Sequence, residues 1–486
     1  MLPFFIGVDT LDGHQPSRLP LIISVCGVIW FIPLSCSLLA PALTAHDFAR
    51  LCQLGLLAVI ALVLSLCKQQ RHGSMSPAPS AFGIALAGLL TASALHATYP
   101  SIALRELLVF GGLLSLSVAL SRCITTSSDF TPVLRTVVAG TFAHALIMQA
   151  FLLGSIPITE VVYPWEAFIG FDNPRFLNHA QTALLPLVAV VSVQDPKTFW
   201  RRLAAATLLL SGMVLFISLG RATMLALLVG LLVGLSLFRQ AAGPYACRAA
   251  GYTLLGMLLM WLVYLLWLQP AGHRIDVQQL TQSHFRGYLF AKAFDLWKTS
   301  PWIGVGPMHF AHWYNGEAAH PHNIYSQILC EYGLIGAALI IGGALRWTAT
   351  IFHAIRVAAP SQTNLAIGLA GSLVGVLVDG GLSGNFVMPI SQLWIAVLVA
   401  LCIAFHRLSV GPTPVLAVAP PNRPRYLRGV ASAARVVFSL ALIFLALQSA
   451  YVARHTPTPR LDTPGAVGMR ADMDNANPRF WTVGWF

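Results

Sequence analysis

A succession of long apolar runs, separated by segments that hold nearly all of the charge, narrows the folds open to this chain. Only 9% of its 486 residues are charged and 57% are hydrophobic, whereas a soluble domain carries about 25% charged residues. Runs at 19–40, 48–67, 80–96, 102–121, 133–153, 180–194, 203–219, 222–238, 251–268, 323–345, 364–378, 389–405 and 434–452 reach or approach the ~20 residues that cross a bilayer as helix. They lack the two-residue alternation of a membrane barrel. In lipid every backbone polar group must be satisfied internally, which leaves helices. The chain is therefore expected to be all-α, a polytopic integral membrane protein of about 12–13 transmembrane helices.

Loop charge orients these spans. Alternate loops hold Lys68 and Arg71; Arg122 and Arg135; Lys197, Arg201 and Arg202; Arg239 and Arg248; Arg346 and Arg356; and Arg407, Arg423, Arg425 and Arg428. The positive-inside rule assigns all of them to the cytoplasm. The same distribution explains the formal charge of +12 and removes nucleic acid as a partner. The start lacks a basic n-region and a clear cleavage site, so the first span is expected to be retained. Cysteines such as Cys26, Cys36, Cys52 and Cys67 lie mostly in apolar runs without paired or metal-type spacing, and read as small hydrophobes. The expected division is 1–268, N-terminal transmembrane helices; 269–322, one long periplasmic loop; 323–452, C-terminal transmembrane helices; and 453–486, a periplasmic tail. That tail is polar until its aromatic end, which is expected to rest on the membrane surface. GPTPVLAVAPPNRPRYLR reads as a cytoplasmic Pro-rich linker.

The outer side gathers the residues with chemical potential. Arg221 interrupts the apolar stretch from Leu203 to Phe238, beside Gly220. An arginine near bilayer depth costs several kcal/mol unless it pairs or reaches water. The plain alternative is snorkelling to the headgroups; the functional reading is an anion clamp, because guanidinium matches phosphate oxygens in a bidentate fork. Arg286 begins an amphipathic segment, Phe285 to Lys298, inside the long loop. Arg175 stands in PWEAFIGFDNPRFLNHAQT, with Asn178, His179 and Gln181. Three arginines on one side favour a diphosphate site over three separate rim charges.

His309, His312, His320 and His322 invite a zinc reading, but the spacing lacks the HExxH pattern and only Glu317 is a nearby acid. No cofactor is expected. His322 stands just before a span, where an imidazole of near-neutral pKa can take a proton; the plain alternative is a capping role shared with Asn323. Gly333 and Gly336, on the helix that follows, permit close packing.

His322-Asn323, nine residues, then Gly333-Leu-Ile-Gly336 resembles the signature of the O-antigen ligase, O-antigen polymerase and O-linked oligosaccharyltransferase superfamily. FDNPRFLNHAQTALLPL, AHPHNIYSQILCEYG, NFVMPISQLW and NPRFW resemble the pilin-type oligosaccharyltransferase branch. The resemblance implies a GT-C-like, metal-independent, inverting glycosyltransferase of the bacterial inner membrane, with its active site facing the periplasm. The implied donor is an undecaprenyl-diphosphate-linked glycan; the implied acceptor is a protein Ser/Thr such as pilin, or lipid A-core, with membrane lipid around both. Arg221 and Arg286 sit where that family has its essential arginines. The expected assignment is Arg221 and Arg286 on the diphosphate and His322 as base or acceptor-orienting residue, with Arg175, His320, Asn323 and Gln181 as substrate-binding candidates. The competing readings are an O-antigen polymerase and, in a different class, a flippase for the same lipid. A flippase needs a polar route to the midplane, whereas only Arg105, Glu106 and Lys292 are ambiguous in position. No internal repeat of the kind common in transporters is visible.

Overall fold

A computed structural model describes residues 18–41, 43–66, 81–155, 168–270, 272, 284–410, 425–455, 478–482 and 484–486. Among the basic loop residues, Lys68, Arg71 and Arg423 lie outside the described residues, as do most of the Pro-rich linker and the tail from 456 to 477. Within the described residues fourteen α-helices follow in order: α1 (Leu19–Leu39), α2 (Ala45–Leu66), α3 (Ala81–His96), α4 (Pro100–Ser121), α5 (Phe130–Ser155), α6 (Pro174–Gln194), α7 (Thr198–Ser218), α8 (Arg221–Phe238), α9 (Gly243–Val263), α10 (His284–Thr299), α11 (Ile324–Arg356), α12 (Thr363–Gly380), α13 (Pro389–Val410) and α14 (Arg425–His455). Among the same residues there are 11 stretches long and apolar enough to cross a membrane. One of them, Arg221–Leu268, contains both α8 and α9, and Phe82–His96 is a shorter apolar helix. Every run expected from the sequence coincides with a helix.

Helix starts follow local chemistry. Proline occupies the first turn of α1, α4, α6 and α9, where its missing N–H costs no hydrogen bond. The start of α6 lies six residues before the expected 180, because Asn173 caps it by accepting from Arg175 N at 2.9 Å. Arg175 therefore stands in the first turn of a helix and not in a loop. The middle of α6 is buried without interruption from Leu177 to Ser192, packed by α7, α12 and α13. Arg135 pairs bidentately with Asp195 (2.8 Å for both bonds), and Arg248 donates to Ser192 O, at the opposite end of the bundle from Arg175.

The helix α11 is not continuous. Gly333 has φ +68° and ψ −173°, which breaks the helical path inside an unbroken apolar run. The backbone accounting shows what the break is for. Val305 N and Gly306 N donate to Cys330 O and Glu331 O at 3.1 and 3.0 Å, while Leu334 N and Ile335 N donate to Pro301 O and Trp302 O at 2.8 and 3.2 Å. The loop 301–306 thus substitutes for one turn of helical hydrogen bonds. The close approach expected at Gly333 is made by this loop, inserted where the glycine has a positive φ.

The aromatic end of the tail is also corrected. Arg479, Phe480 and Trp485 are buried in the protein. Phe486 meets the rings of Tyr99, His309 and His312, and Tyr314 packs on Trp485 with ring centroids 5.0 Å apart. The ambiguity over Glu106 disappears with this docking, since Arg479 Nη2 lies 2.8 Å from Glu106 Oε1.

Candidate functional site

Four elements bring basic side chains to one end of the bundle. Arg221 opens α8 directly after a two-residue turn, in which Leu219 is left-handed (φ +50°). Asn178 of α6 locks this turn: its Nδ2 donates to Ser218 Oγ at 2.9 Å, and its carbonyl accepts from Thr223 Oγ1 at 3.1 Å. Gly220 leaves no room for a side chain here, since a Cβ would stand 2.2 Å from Asn178 Nδ2. Arg175 lies one turn before Asn178 on α6, and Arg286 comes from the first turn of α10. Arg175 stands within electrostatic reach of both Arg286 and Arg221. The Arg286 guanidinium is held below its ordinary pKa, first by burial and then by Arg221, with Asp379 opposing the shift. Gathered cations that disfavour one another are what an anion would relieve.

His322 completes the group. It immediately precedes Asn323, whose Oδ1 caps α11 by accepting from Tyr325 N and Ser326 N at 2.9 and 3.0 Å. His322 has φ +52°, a conformation uncommon for a residue other than glycine, asparagine or aspartate. Its ring stands 4.1 Å from that of His320, centroid to centroid, and the His322 backbone N–H donates to His320 Nδ1 at 3.2 Å. Burial, then Arg286, His179 and Arg175 push the His322 imidazole down to about 3. The near-neutral pKa expected from sequence is thus corrected, because burial first, and then three positive or potentially positive neighbours, disfavour the charged ring. His320 is buried and is held well below its ordinary value by burial and by His322.

Most of the sequence-derived candidates therefore come together: Arg175, Arg221, Arg286, His320, His322 and, beside them, Asn323. Asn323 is engaged in capping and in a 2.8 Å bond from Nδ2 to Gly381 O. Gln181 is placed elsewhere; its buried side chain turns to α7, with Nε2 donating to Ser211 O at 3.4 Å. His309 and His312 belong to the scaffold. His309 is fully buried, accepts from Tyr99 N at Nε2 (3.0 Å) and bonds Pro307 O through Nδ1 (2.8 Å). His312 Nδ1 bonds Phe486 O at 3.1 Å. Among the described residues, no three His, Cys, Asp or Glu side chains are arranged to hold a metal ion.

Sequence reasoning missed the acid beneath the group. Asp379, fully buried at the end of α12, accepts from Ser383 Oγ at 2.6 Å and from Thr182 Oγ1 at 3.1 Å, and lies 3.4 Å from His179 Nδ1. The only signal was a single carboxylate in VDGGLSGNF, where neighbouring glycines hid its register. Ser383 Oγ contacts the same ring nitrogen of His179 at 3.3 Å. That geometry does not form a nucleophile–base relay, which needs serine and acid on opposite nitrogens. It supplies negative charge and fixes His179 beside His322.

A family model described as O-Antigen ligase matches residues 206–341. The match spans Arg221, Arg286, the four loop histidines, Asn323 and Gly333, and leaves Arg175, Asp379 and Arg479 outside it. No curated protein matches the chain. A helical bundle of membrane-crossing length, with an arginine-rich site built largely from the matched segment, thus carries a domain of the O-antigen ligase family over residues 206–341.

Proposed function

We propose that this protein transfers a glycan from an undecaprenyl-diphosphate carrier to an acceptor hydroxyl, as O-antigen ligases and O-linked oligosaccharyltransferases do. The observation that carries the reading is the convergence of Arg175, Arg221 and Arg286 beside His322. In the proposed reaction an acceptor oxygen attacks the anomeric carbon and the bond from that carbon to the diphosphate oxygen breaks. The bonding pair leaves with the diphosphate, the arginines stabilise the charge that develops, and His322 receives the acceptor proton. Direct displacement inverts the anomeric configuration. Guanidinium forks can supply, without a divalent cation, the positive charge that phosphoryl oxygens need.

Two further features support the reading. An apolar cavity of about 310 Å³ lies among α6, α7, α8, α9 and α12, with Leu215 and Met224 at the end nearest Arg221. It suits the first isoprene units of a carrier whose diphosphate meets the arginines. The buried ionisable groups Arg50 and Glu106 are occupied by Phe480 O and by Arg479, which favours transfer over carriage of a polar headgroup through the bundle. The alternating loop charges support a bacterial inner-membrane protein whose site faces the periplasm. The resemblance of NFVMPISQLW and NPRFW to the pilin-type branch favours a protein Ser/Thr acceptor over lipid A-core.

The test supplies the purified protein with a polyprenyl-diphosphate glycan, a pilin-type subunit and lipid A-core in separate reactions. Glycosylation of the subunit is the expected result, and transfer to lipid A-core would correct the acceptor alone. Growth of the carrier-linked glycan would identify a polymerase. A donor left intact in all three reactions contradicts the proposal.

A further inference from the structure

Segment 478–482 is bonded to both sides of the candidate site. Arg479 Nη2 lies 2.8 Å from Glu106 Oε1 on α4 and 2.8 Å from Glu331 Oε2 on α11. Glu331 ends the short first piece of α11, between the His322–Asn323 start and the break at Gly333, and its Oε1 also accepts from Phe310 N at 3.2 Å. On the other side the segment is tied to α2. Arg50 donates to Arg479 O from Nη2 and to Phe480 O from Nε, both at 3.1 Å. Asp47 Oδ1 accepts from Thr482 N and Thr482 Oγ1 at 2.7 and 2.9 Å. The start of α2 is in turn capped from the strand of chain that leads into α6: Ala45 N and His46 N donate to the two oxygens of Asp172 at 2.9 and 2.8 Å. Asp172 is three residues before Arg175. A continuous path of charged and backbone bonds therefore runs from the arginine side of the site, through α2 and this segment, to the helix that presents His322.

We propose that segment 478–482 is a strut that sets the spacing between the arginine group and His322, with Arg479 as its positioning residue. The proposal rests on the transfer reading for its catalytic consequence, although the mechanical tie does not. Stability alone is a poor reason for such an arrangement. Each buried ion forfeits several kcal/mol of hydration, and neutral groups of similar shape often serve stability as well or better. What an ionic triad adds is a fixed geometry, because either carboxylate left without Arg479 becomes a buried unpaired charge. A phosphate clamp and a base on separate helices need that kind of fixation, since a displacement of about 1 Å costs on the order of 100-fold in rate.

The experiment compares the full chain with the variant Arg479→Met, Glu106→Gln, Glu331→Gln, which removes the ionic tie and leaves Asp47 as the counter-charge of Arg50. The amide that Glu331→Gln introduces can still accept from Phe310 N, so the variant is built to fold. Two readouts are taken in detergent: amide hydrogen exchange, and kcat and KM for a polyprenyl-diphosphate glycan. Exchange at 324–332 is expected to accelerate while α13 stays protected, and kcat to fall about 10- to 100-fold with the donor KM within about twofold. Restoring Arg479 and both glutamates together should return both readouts. Unchanged exchange at 324–332 overturns the strut, as does accelerated exchange with undiminished kcat. If the unmodified protein transfers no glycan, the transfer reading fails, and the exchange arm still decides the strut.

Discussion

Gly333 stands so close to Trp302 that a Cβ on the glycine would lie 2.4 Å from the Trp302 carbonyl. The residue also has φ +68° with ψ −173°, a backbone region all but reserved for glycine, where an L side chain costs on the order of 1–3 kcal/mol before any clash. Gly333→Ala is therefore expected to lower the melting temperature in detergent sharply, because it expels the loop 301–306 from the break in α11. Gly342→Ala, on the same helix with nothing within 4 Å of the added carbon, should be neutral or slightly stabilising, by up to about 1 kcal/mol. Equal melting temperatures for the two variants would contradict this account of the break.

His309→Ala is expected to destabilise the protein, although His309 has no role in the proposed chemistry. The substitution leaves Tyr99 N–H and Pro307 O without their buried partner; each such group costs about 1–3 kcal/mol. Thermal unfolding of the purified variant checks the point, and an unshifted transition would refute it.

The pH dependence follows from the low pKa of His322. A base works only when deprotonated, so activity is lost as pH falls through its pKa. In the free site that pKa is held down to about 3 by burial, Arg286, His179 and Arg175. A bound diphosphate cancels the arginine charge and raises it. The acid limb of kcat/KM, which reports the free enzyme, should therefore lie at lower pH than the acid limb of kcat, which reports the complex. Loss of kcat/KM below about pH 6, expected for an unperturbed imidazole, moves to lower pH. Arg286→Gln should shift the kcat/KM limb upward. Coincident limbs near pH 6.5 in both profiles, the position of a free imidazole at about 6.5, would contradict the electrostatic coupling.

Substitution at His322 must respect its backbone. Asparagine tolerates φ +52° far better than alanine, so His322→Asn separates loss of the base from loss of the turn. Transfer is expected to fall by about 100- to 10,000-fold in His322→Asn, with a melting temperature close to that of the unmodified protein. Full activity in this variant would remove His322 as the base.

How much of this was legible in the sequence depended on the physics of each feature. Helices were legible because an apolar run of bilayer length has a single way to satisfy its backbone. Arg221 was legible because a charge inside such a run is costly, and Arg286 because it opens an amphipathic segment. The break at Gly333 was not, since the apolar pattern runs straight through it and a glycine does not announce the sign of its φ. Nor was the Arg479 triad, whose partners lie 373 and 148 residues away in the chain. Gln181 matched the pattern of a site residue, yet its place on the helix turns it to α7. The low pKa of His322 was not legible either, because it depends first on the burial of the ring and then on the charges around it, both properties of the assembled site.

The arginine clamp is tested by the rate of glycan transfer from a polyprenyl-diphosphate donor in EDTA, for the unmodified protein and for Arg175→Lys, Arg221→Lys and Arg286→Lys. Lysine keeps the charge but loses the two-pronged contact with phosphate oxygens. Losing one such contact at the transition state is worth roughly 2–4 kcal/mol, or about 30- to 1000-fold in rate. The unmodified protein is expected to be fully active in EDTA. Losses of that order are expected in Arg221→Lys and Arg286→Lys, with a smaller loss in Arg175→Lys. Near-normal transfer by both Arg221→Lys and Arg286→Lys, or inactivation by EDTA that Mg²⁺ or Zn²⁺ reverses, would contradict the clamp.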